Sequence, residues 1–237
     1  MKVSLLKISR NKEVIKRLEL SEIAEMIREN PEKEMVYNLR LKYQFYKPQR
    51  MPDGQITLDD QQHTVNLPRL LFAVECMNYK EMQKGLKYNG LVVVEVNGLK
   101  TYEEAVNIRN QAARMDETVM AFLGASGKSV KIVVRGELFK KADMSADQTT
   151  PPDGPPPTQE GKRLPIGEDE MRQFHKNVYE TARRAYQNQF GLEIEYLEPR
   201  LERTVYMSAD PEMYFNPDAR LFKADCEKHD QPEQARI

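Results

Sequence analysis

A chain of 237 residues with 40% hydrophobic and 31% charged side chains has room for one large domain, or a domain with an appended lobe, and is not globally disordered. Its 36 basic and 37 acidic residues leave a net charge of −1, which excludes attraction to nucleic acid over the whole surface and leaves that task to a local patch. Two distant cysteines, Cys76 and Cys226, and no apolar run of bilayer length read as a cytoplasmic protein rather than a secreted or membrane-spanning one.

Met1 to Ile8 alternates as a strand does and lacks the apolar core of a signal peptide. Leu20 to Arg28 has helical spacing, with Ser21 as the expected cap, and a second helix is expected over Lys33 to Tyr46. Pro48 and Pro52-Asp53-Gly54 break it, so residues 48–66 form a loop or hairpin, and Leu67 to Glu75 follows as a strand. Leu91-Val92-Val93-Val94-Glu95-Val96 reads as a buried strand. Thr101 caps a helix running to about Arg114, with Glu104 three residues on completing a capping box. Val119 to Leu123 and Val130 to Arg135 are two further strands.

Residues 142–165 contain a Pro-rich run, Pro151 to Pro157, which reads as a linker or exposed insertion. From Glu168 to Gln189, Phe174, Val178, Ala182 and Ala185 mark one helical face that ends at Gly191. Thr204 to Ser208 is the last expected strand, before a polar tail over residues 226–237. In that tail Cys226-Glu227-Lys228-His229 has C-x-x-H spacing, half a zinc site at most, with only His63 and His175 elsewhere.

The expected fold class is therefore α/β (α+β): an N-terminal α/β unit over residues 1–89 packed on an RRM-like or ferredoxin-like βαββαβ unit over residues 90–225. In that order the first strand lies between the third and fourth. The end of strand one (Glu95, Val96, Asn97) then meets the start of strand three and the approach to strand four, where Glu195, Arg200 and Arg203 lie. Three segments distant in sequence converge on one sheet edge.

At that edge stands Gly124-Ala125-Ser126-Gly127-Lys128-Ser129, which nearly spells a P-loop. The first glycine of G-x-x-x-x-G-K-[ST] would fall at Phe122, and a strand rather than a helix follows, so neither spacing nor context fits. The stretch from Ser126 to Lys141 carries Lys128, Lys131, Arg135, Lys140 and Lys141 against Glu137 alone, a basic patch that suits a binding surface or a solvated turn equally. Carboxylates at alternate strand positions share a face, as metal ligands should. Here the pair is Glu95 and Asn97, with Glu195, ahead of Glu193 or Glu198, as the second carboxylate and Ser126, Lys128, Lys131 and Arg203 as phosphate contacts. Spacing alone favours a plain polar strand end leading into Asn97-Gly98. The stretches Val92-Val93-Val94 and Ile132-Val133-Val134 supply none of the aromatics on which an RRM stacks bases. No G-x-S-x-G elbow occurs, and Ser126 and Ser129 have no histidine nearby in the expected topology.

With these motifs in place, the chain resembles the archaeo-eukaryotic primase (primase-polymerase) superfamily, in its VirE N-terminal-like branch on bacterial mobile elements. The matching stretches are Met1 to Lys7, Gly90 to Asn97, Gly124 to Val134 and, most specific, Glu202 to Ala219. The resemblance implies a primase-like fold with a site between its two units, holding Mg²⁺ or Mn²⁺ and a nucleotide. It implies Glu95 and Glu195 as catalytic residues, and Glu95, Asn97 and Glu195 as metal ligands. DNA or nucleotide, and a helicase or other mobile-element replication protein, are the implied partners. The departures fall on the chemistry: the family's D-x-D is Glu95-x-Asn97 here, and a further acidic position is Arg200. An amide offers Mg²⁺ no charge. The expected function is DNA or nucleotide binding with a degenerate active site. An active nucleotidyltransferase and a protein-interaction module using the Pro-rich segment are the alternatives.

Overall fold

The computed structural model describes residues 1–9, 12–31, 33–45, 49–50, 56–57, 67–76, 87–136 and 167–223. The Pro-rich insertion at 142–165, the tail at 226–237 with its C-x-x-H spacing, and His63 lie outside them.

Two four-stranded antiparallel sheets make the frame. The first has the order β11-β5-β1-β2, with β1 (Lys2–Ser9), β2 (Lys12–Glu19), β5 (Arg69–Leu71) and β11 (Thr204–Tyr206). The second has the order β12-β9-β10-β8, with β8 (Leu91–Val96), β9 (Thr118–Leu123), β10 (Val130–Arg135) and β12 (Tyr214–Phe215). Two short hairpins, β3 (Gln49–Arg50) with β4 (Ile56–Thr57) and β6 (Val74–Glu75) with β7 (Lys87–Tyr88), complete the strands described. Helices α1 (Leu20–Arg28), α2 (Lys33–Phe45), α3 (Tyr102–Ala112) and α4 (Glu168–Phe190) make this an α+β protein, as expected.

The period-two alternation of β8 and β10 explains the layering. Val92, Val94, Val96, Val130, Ile132 and Val134 share one core cluster with Ala105 and Ile108 of α3 and Val178, Ala182 and Tyr186 of α4. The opposite face carries Leu91, Val93 and Val133. It packs on Val3, Leu5, Leu70 and Val205 of the first sheet and on Ile23 and Ile27 of α1. Full burial of a Val, Leu or Ile side chain in these clusters contributes about 1.5–3 kcal/mol relative to exposure. This packing makes a seam between the two sheets. At one end α2 closes it, with Val36 packed on Leu67, Ala125 and Ala209.

The strand expected at Thr204–Ser208 forms over Thr204–Tyr206, but it pairs with β5 in the first sheet, Val205 opposite Leu70. It does not lie beside β8, which pairs with β10 on one side and forms an edge of its sheet. The physical reason is burial: Val205 and Met207 join the inter-sheet core beside Leu70 and Phe72. The first sheet is thus completed by chain from beyond position 200.

Local signals behave closely to expectation. Thr101 Oγ1 accepts from Glu104 N–H at 3.1 Å, while Glu104 reaches back to Lys100 N–H at 2.7 Å. Helix α1 is capped two residues earlier than expected: Glu19, not Ser21, is the N-cap, and its N–H donates to Glu22 at 2.7 Å. The edge strand β2 escapes sequence reading because its charges break strict alternation, a usual device for keeping an edge from pairing with another chain.

Candidate functional site

The β9–β10 connection, Gly124 to Ser129, is a hairpin loop and not a phosphate loop leading into a helix. Gly124 N–H donates to Ser129 O at 2.8 Å, and Gly127 N–H to Gly124 O at 2.9 Å. Ser126 Oγ accepts from Lys128 N–H at 3.2 Å, fixing the lysine's backbone at the tip. Both glycines are required. Gly127 has φ of +73°, and a Cβ on Gly124 would lie 2.1 Å from Ser129 Oγ.

Beside this loop the register places Lys131 directly opposite Glu95, and Val130 opposite Val96. Glu95 projects from the same face as Leu91 and Val93, into the end of the seam. Its side chain is 10% exposed and engaged at both oxygens. Lys131 Nζ donates to Oε2, and Arg203 Nε donates to Oε1 at 2.8 Å. Lys131 also donates to Asn97 Oδ1 at 3.1 Å. Arg203 arrives from the residue just before β11, so the first sheet delivers a cation to a carboxylate of the second. Burial by itself would raise the Glu95 carboxyl, but Lys131 and Arg203 outweigh it together and hold its pKa below the usual value. The carboxylate is ionised. A small cleft of about 20 Å³ is lined by Arg203, Val93, Val205 and the buried ring of His175.

On the other side of the loop lies Arg40 of α2. Its Nη2 donates to Ala209 O at 2.7 Å and to Ser208 Oγ at 3.3 Å. Its aliphatic stem packs on Gly127, where a Cβ would meet Cδ at 3.2 Å and Cγ at 3.3 Å. Burial lowers its pKa, opposed by Tyr102, Asp210 and Tyr37. Behind the loop, Arg109 (3% exposed) and Asp210 (1%) form a buried ion pair at 2.6 Å. Asp210 Oδ2 also accepts from Leu123 N–H at 2.9 Å, tying the chain after β11 to the last residue of β9.

The expected convergence at the end of β8 is thus present for Glu95, Asn97, Lys131 and Arg203, with Ser126 and Lys128 on the adjoining loop. Glu195 is exposed, between the buried Ile194 and exposed Tyr196. Lys140 and Lys141 of the basic stretch lie outside the described residues. Arg40 carried no signal within its helical segment. Arg109 did, as a charge on the buried stripe Ala105, Ile108, Ala112 of α3.

As donors for a divalent cation the arranged groups fit poorly. Both oxygens of Glu95 face cationic nitrogens, and Asn97 Oδ1 accepts from one of the same two, so an incoming Mg²⁺ or Mn²⁺ would meet two positive charges before a carboxylate. Among the described residues no three His, Cys, Asp or Glu side chains gather into a metal-holding group. No helix among them is long and apolar enough to cross a membrane.

Fold and site together define a two-sheet α+β protein with a glycine-bent hairpin loop flanked by cations at the end of its inter-sheet seam. The chain belongs to the family described as BT4734-like, N-terminal domain, which it matches over residues 62–215. The matched span holds Glu95, the loop, Lys131, Arg203 and Asp210, and leaves out β1, β2, α1 and α2. No curated protein and no solved structure matches the chain.

Proposed function

We propose that this is a primase-polymerase-like, nucleic-acid-associated protein of a mobile element, one that binds DNA or nucleotide at the β9–β10 loop with its catalysis lost. The observation that carries the reading is the charge arrangement. Arg40, Lys128, Lys131 and Arg203 stand around the loop and the end of β8, Glu95 is shared by two of them, and Asp210 is answered by Arg109. Such an excess of cations beside a bent loop suits phosphate better than it suits Mg²⁺.

The test is DNA binding followed by fluorescence anisotropy across a salt series. Lys128→Ala and Lys131→Ala should each weaken binding and lower the slope of log K against log salt by about 0.7–0.9 for every phosphate left without its cation. Binding indifferent to both substitutions would remove the proposal. A second reading, a metal-dependent nucleotidyltransferase, is favoured by Glu95 of β8 and Asn97 just past its end, two residues apart and both bonded to Lys131 at the seam. Templated nucleotide incorporation with Mg²⁺ or Mn²⁺, abolished by Glu95→Ala, would replace the first reading with this one. A helicase or other replication protein is the partner to seek under either.

A further inference from the structure

Next to the loop two tyrosines are held in a way that the core does not require. Tyr37 of α2 and Tyr102, the first residue of α3, are each 42% exposed, an unusual degree for rings fixed in place. The guanidinium carbon of Arg40 lies 5.8 Å from the centroid of each ring, so one cation holds both. Arg40 Nε is buried with no hydrogen-bond partner, which leaves the two ring faces and its Nη2 bonds to fix the group. Its stem packs on Gly127, the residue before Lys128, and Leu99 N–H donates to Lys128 O at 3.1 Å, joining the approach to α3 to the same tip. Gly124 links the two halves: Arg40 Nη2 lies 3.5 Å from its carbonyl, and a Cβ on it would lie 3.3 Å from Lys131 Cε. Aromatic surface, Lys128 at the loop's tip and Lys131 at the start of β10 therefore lie about one small loop.

Resting on the nucleic-acid reading above, we infer that Tyr37 and Tyr102, braced by Arg40, are a base-stacking platform and that the ligand is a single-stranded nucleic acid. In a duplex the base faces are covered by their neighbours, whereas an unpaired strand offers them to exposed rings while its phosphates run along Lys128 and Lys131. The platform differs from that of an RRM, because its rings stand on the N-terminal halves of two helices beside a loop and not on the sheet face.

The experiment measures anisotropy of labelled oligonucleotides of about 20 residues, longer than one such site, as oligo(dT), oligo(rU) and a DNA duplex. The wild-type chain should favour the single strands over the duplex, and the two single strands tell DNA from RNA. Tyr37→Leu and Tyr102→Leu should each weaken single-strand binding roughly 5- to 100-fold with an unchanged salt slope, and the Phe variants should restore it. The chain has no tryptophan, so Tyr37→Trp places a single reporter in the platform; its emission should be quenched by oligo(dT) and unaffected by the duplex. Binding that depends on Lys128 and Lys131 but ignores the Leu substitutions, or a tryptophan reporter left unquenched at saturation, would overturn this inference alone. Absence of binding to all three oligonucleotides would overturn it together with the proposed function. A preference for duplex would overturn it and leave the phosphate-binding loop standing.

Discussion

Asp210→Ala tests the joint between the two sheets most sharply. Asp210 is 1% exposed and accepts from Arg109 Nη1 at 2.6 Å, from Leu123 N–H at 2.9 Å and from Glu212 N–H at 3.3 Å. Without the carboxylate, the buried Arg109 keeps Asn110 and the 77%-exposed Glu212, and Leu123 N–H loses its acceptor. Breaking one partner of a buried pair costs about 3–5 kcal/mol, and an orphaned N–H adds about 1–3 kcal/mol. Water entering the gap offsets part of this, so the expected loss is about 4–6 kcal/mol, a large share of the ~5–15 kcal/mol typical of a folded chain. At about 2–4 °C per kcal/mol for this size, the melting temperature should fall by roughly 8–24 °C. Urea unfolding followed by circular dichroism gives the same comparison as a shift of midpoint. The control is Glu212→Ala, which removes a surface carboxylate from the same arginine and should cost no more than about 1 kcal/mol. If Asp210→Ala and Glu212→Ala fall within about 1 kcal/mol of each other, Asp210 does not tie the two sheets together.

Glu95→Gln should tighten nucleic-acid binding and steepen the salt slope, because it removes the carboxylate that partly neutralises Lys131 and Arg203; weaker binding in anisotropy would contradict the charge argument. Gly127→Ala should cost about 1–2 kcal/mol from its positive φ and also displace Arg40, read as a lower urea midpoint with weaker single-strand binding; an unchanged midpoint would show that the loop relaxes freely. His175 is buried with its pKa lowered by desolvation to about 4, and its Nδ1 lies 3.1 Å from Tyr88 Oη. Its folded pKa lies below the unfolded ~6.5, so the unfolded chain binds the extra proton between those values and stability rises with pH across that window, by about 3 kcal/mol in all. Urea midpoints compared between pH ~4.5 and ~7 in wild type and His175→Gln should show the substitution flattening that rise; equal slopes would place the dependence elsewhere.

How much of this was legible depended on whether a residue's partner was near in sequence. Helices α1, α3 and α4 and strands β8, β9 and β10 carry their own signals, in apolar period and caps, and they form at the expected residues. The meeting of Glu95 with Lys131 was legible because β8 and β10 are neighbours in the expected order, whereas Arg203 reaches Glu95 from the first sheet and not from a strand beside β8. The sheet joined by β11 was not: Thr204-Val205-Tyr206 is a good strand beside either sheet, and burial of Val205 and Met207 against Phe72 decides between them. Arg40 and its two tyrosines were invisible for a similar reason. A helix that closes a seam is written like any amphipathic helix, and only the loop it packs on gives Arg40 a task.

The stretch from Tyr206 to Phe215 shows why a specific motif need not mark catalysis. Met207 N–H donates to Pro68 O, Ser208 O accepts from Asn30, Asp210 N–H donates to Ile27 O, and Tyr214 pairs opposite Ala121 of β9. These partners come from the approach to β5, from α1 and the turn after it, and from β9, so few other sequences satisfy all of them at once while burying Met207, Ala209 and Met213. The acid of that stretch, Asp210, is held by Arg109 and a backbone N–H at the base of the loop. The demands on this segment are therefore met by joining the sheets and presenting Ser208 and Ala209 to Arg40. Glu95 remains as the carboxylate at the loop's edge, and two cations already share it. On the proposed reading, phosphate binding would need those cations and not the acid, so the fold would keep every joint of its frame, and the loop between its sheets, whether or not a metal binds.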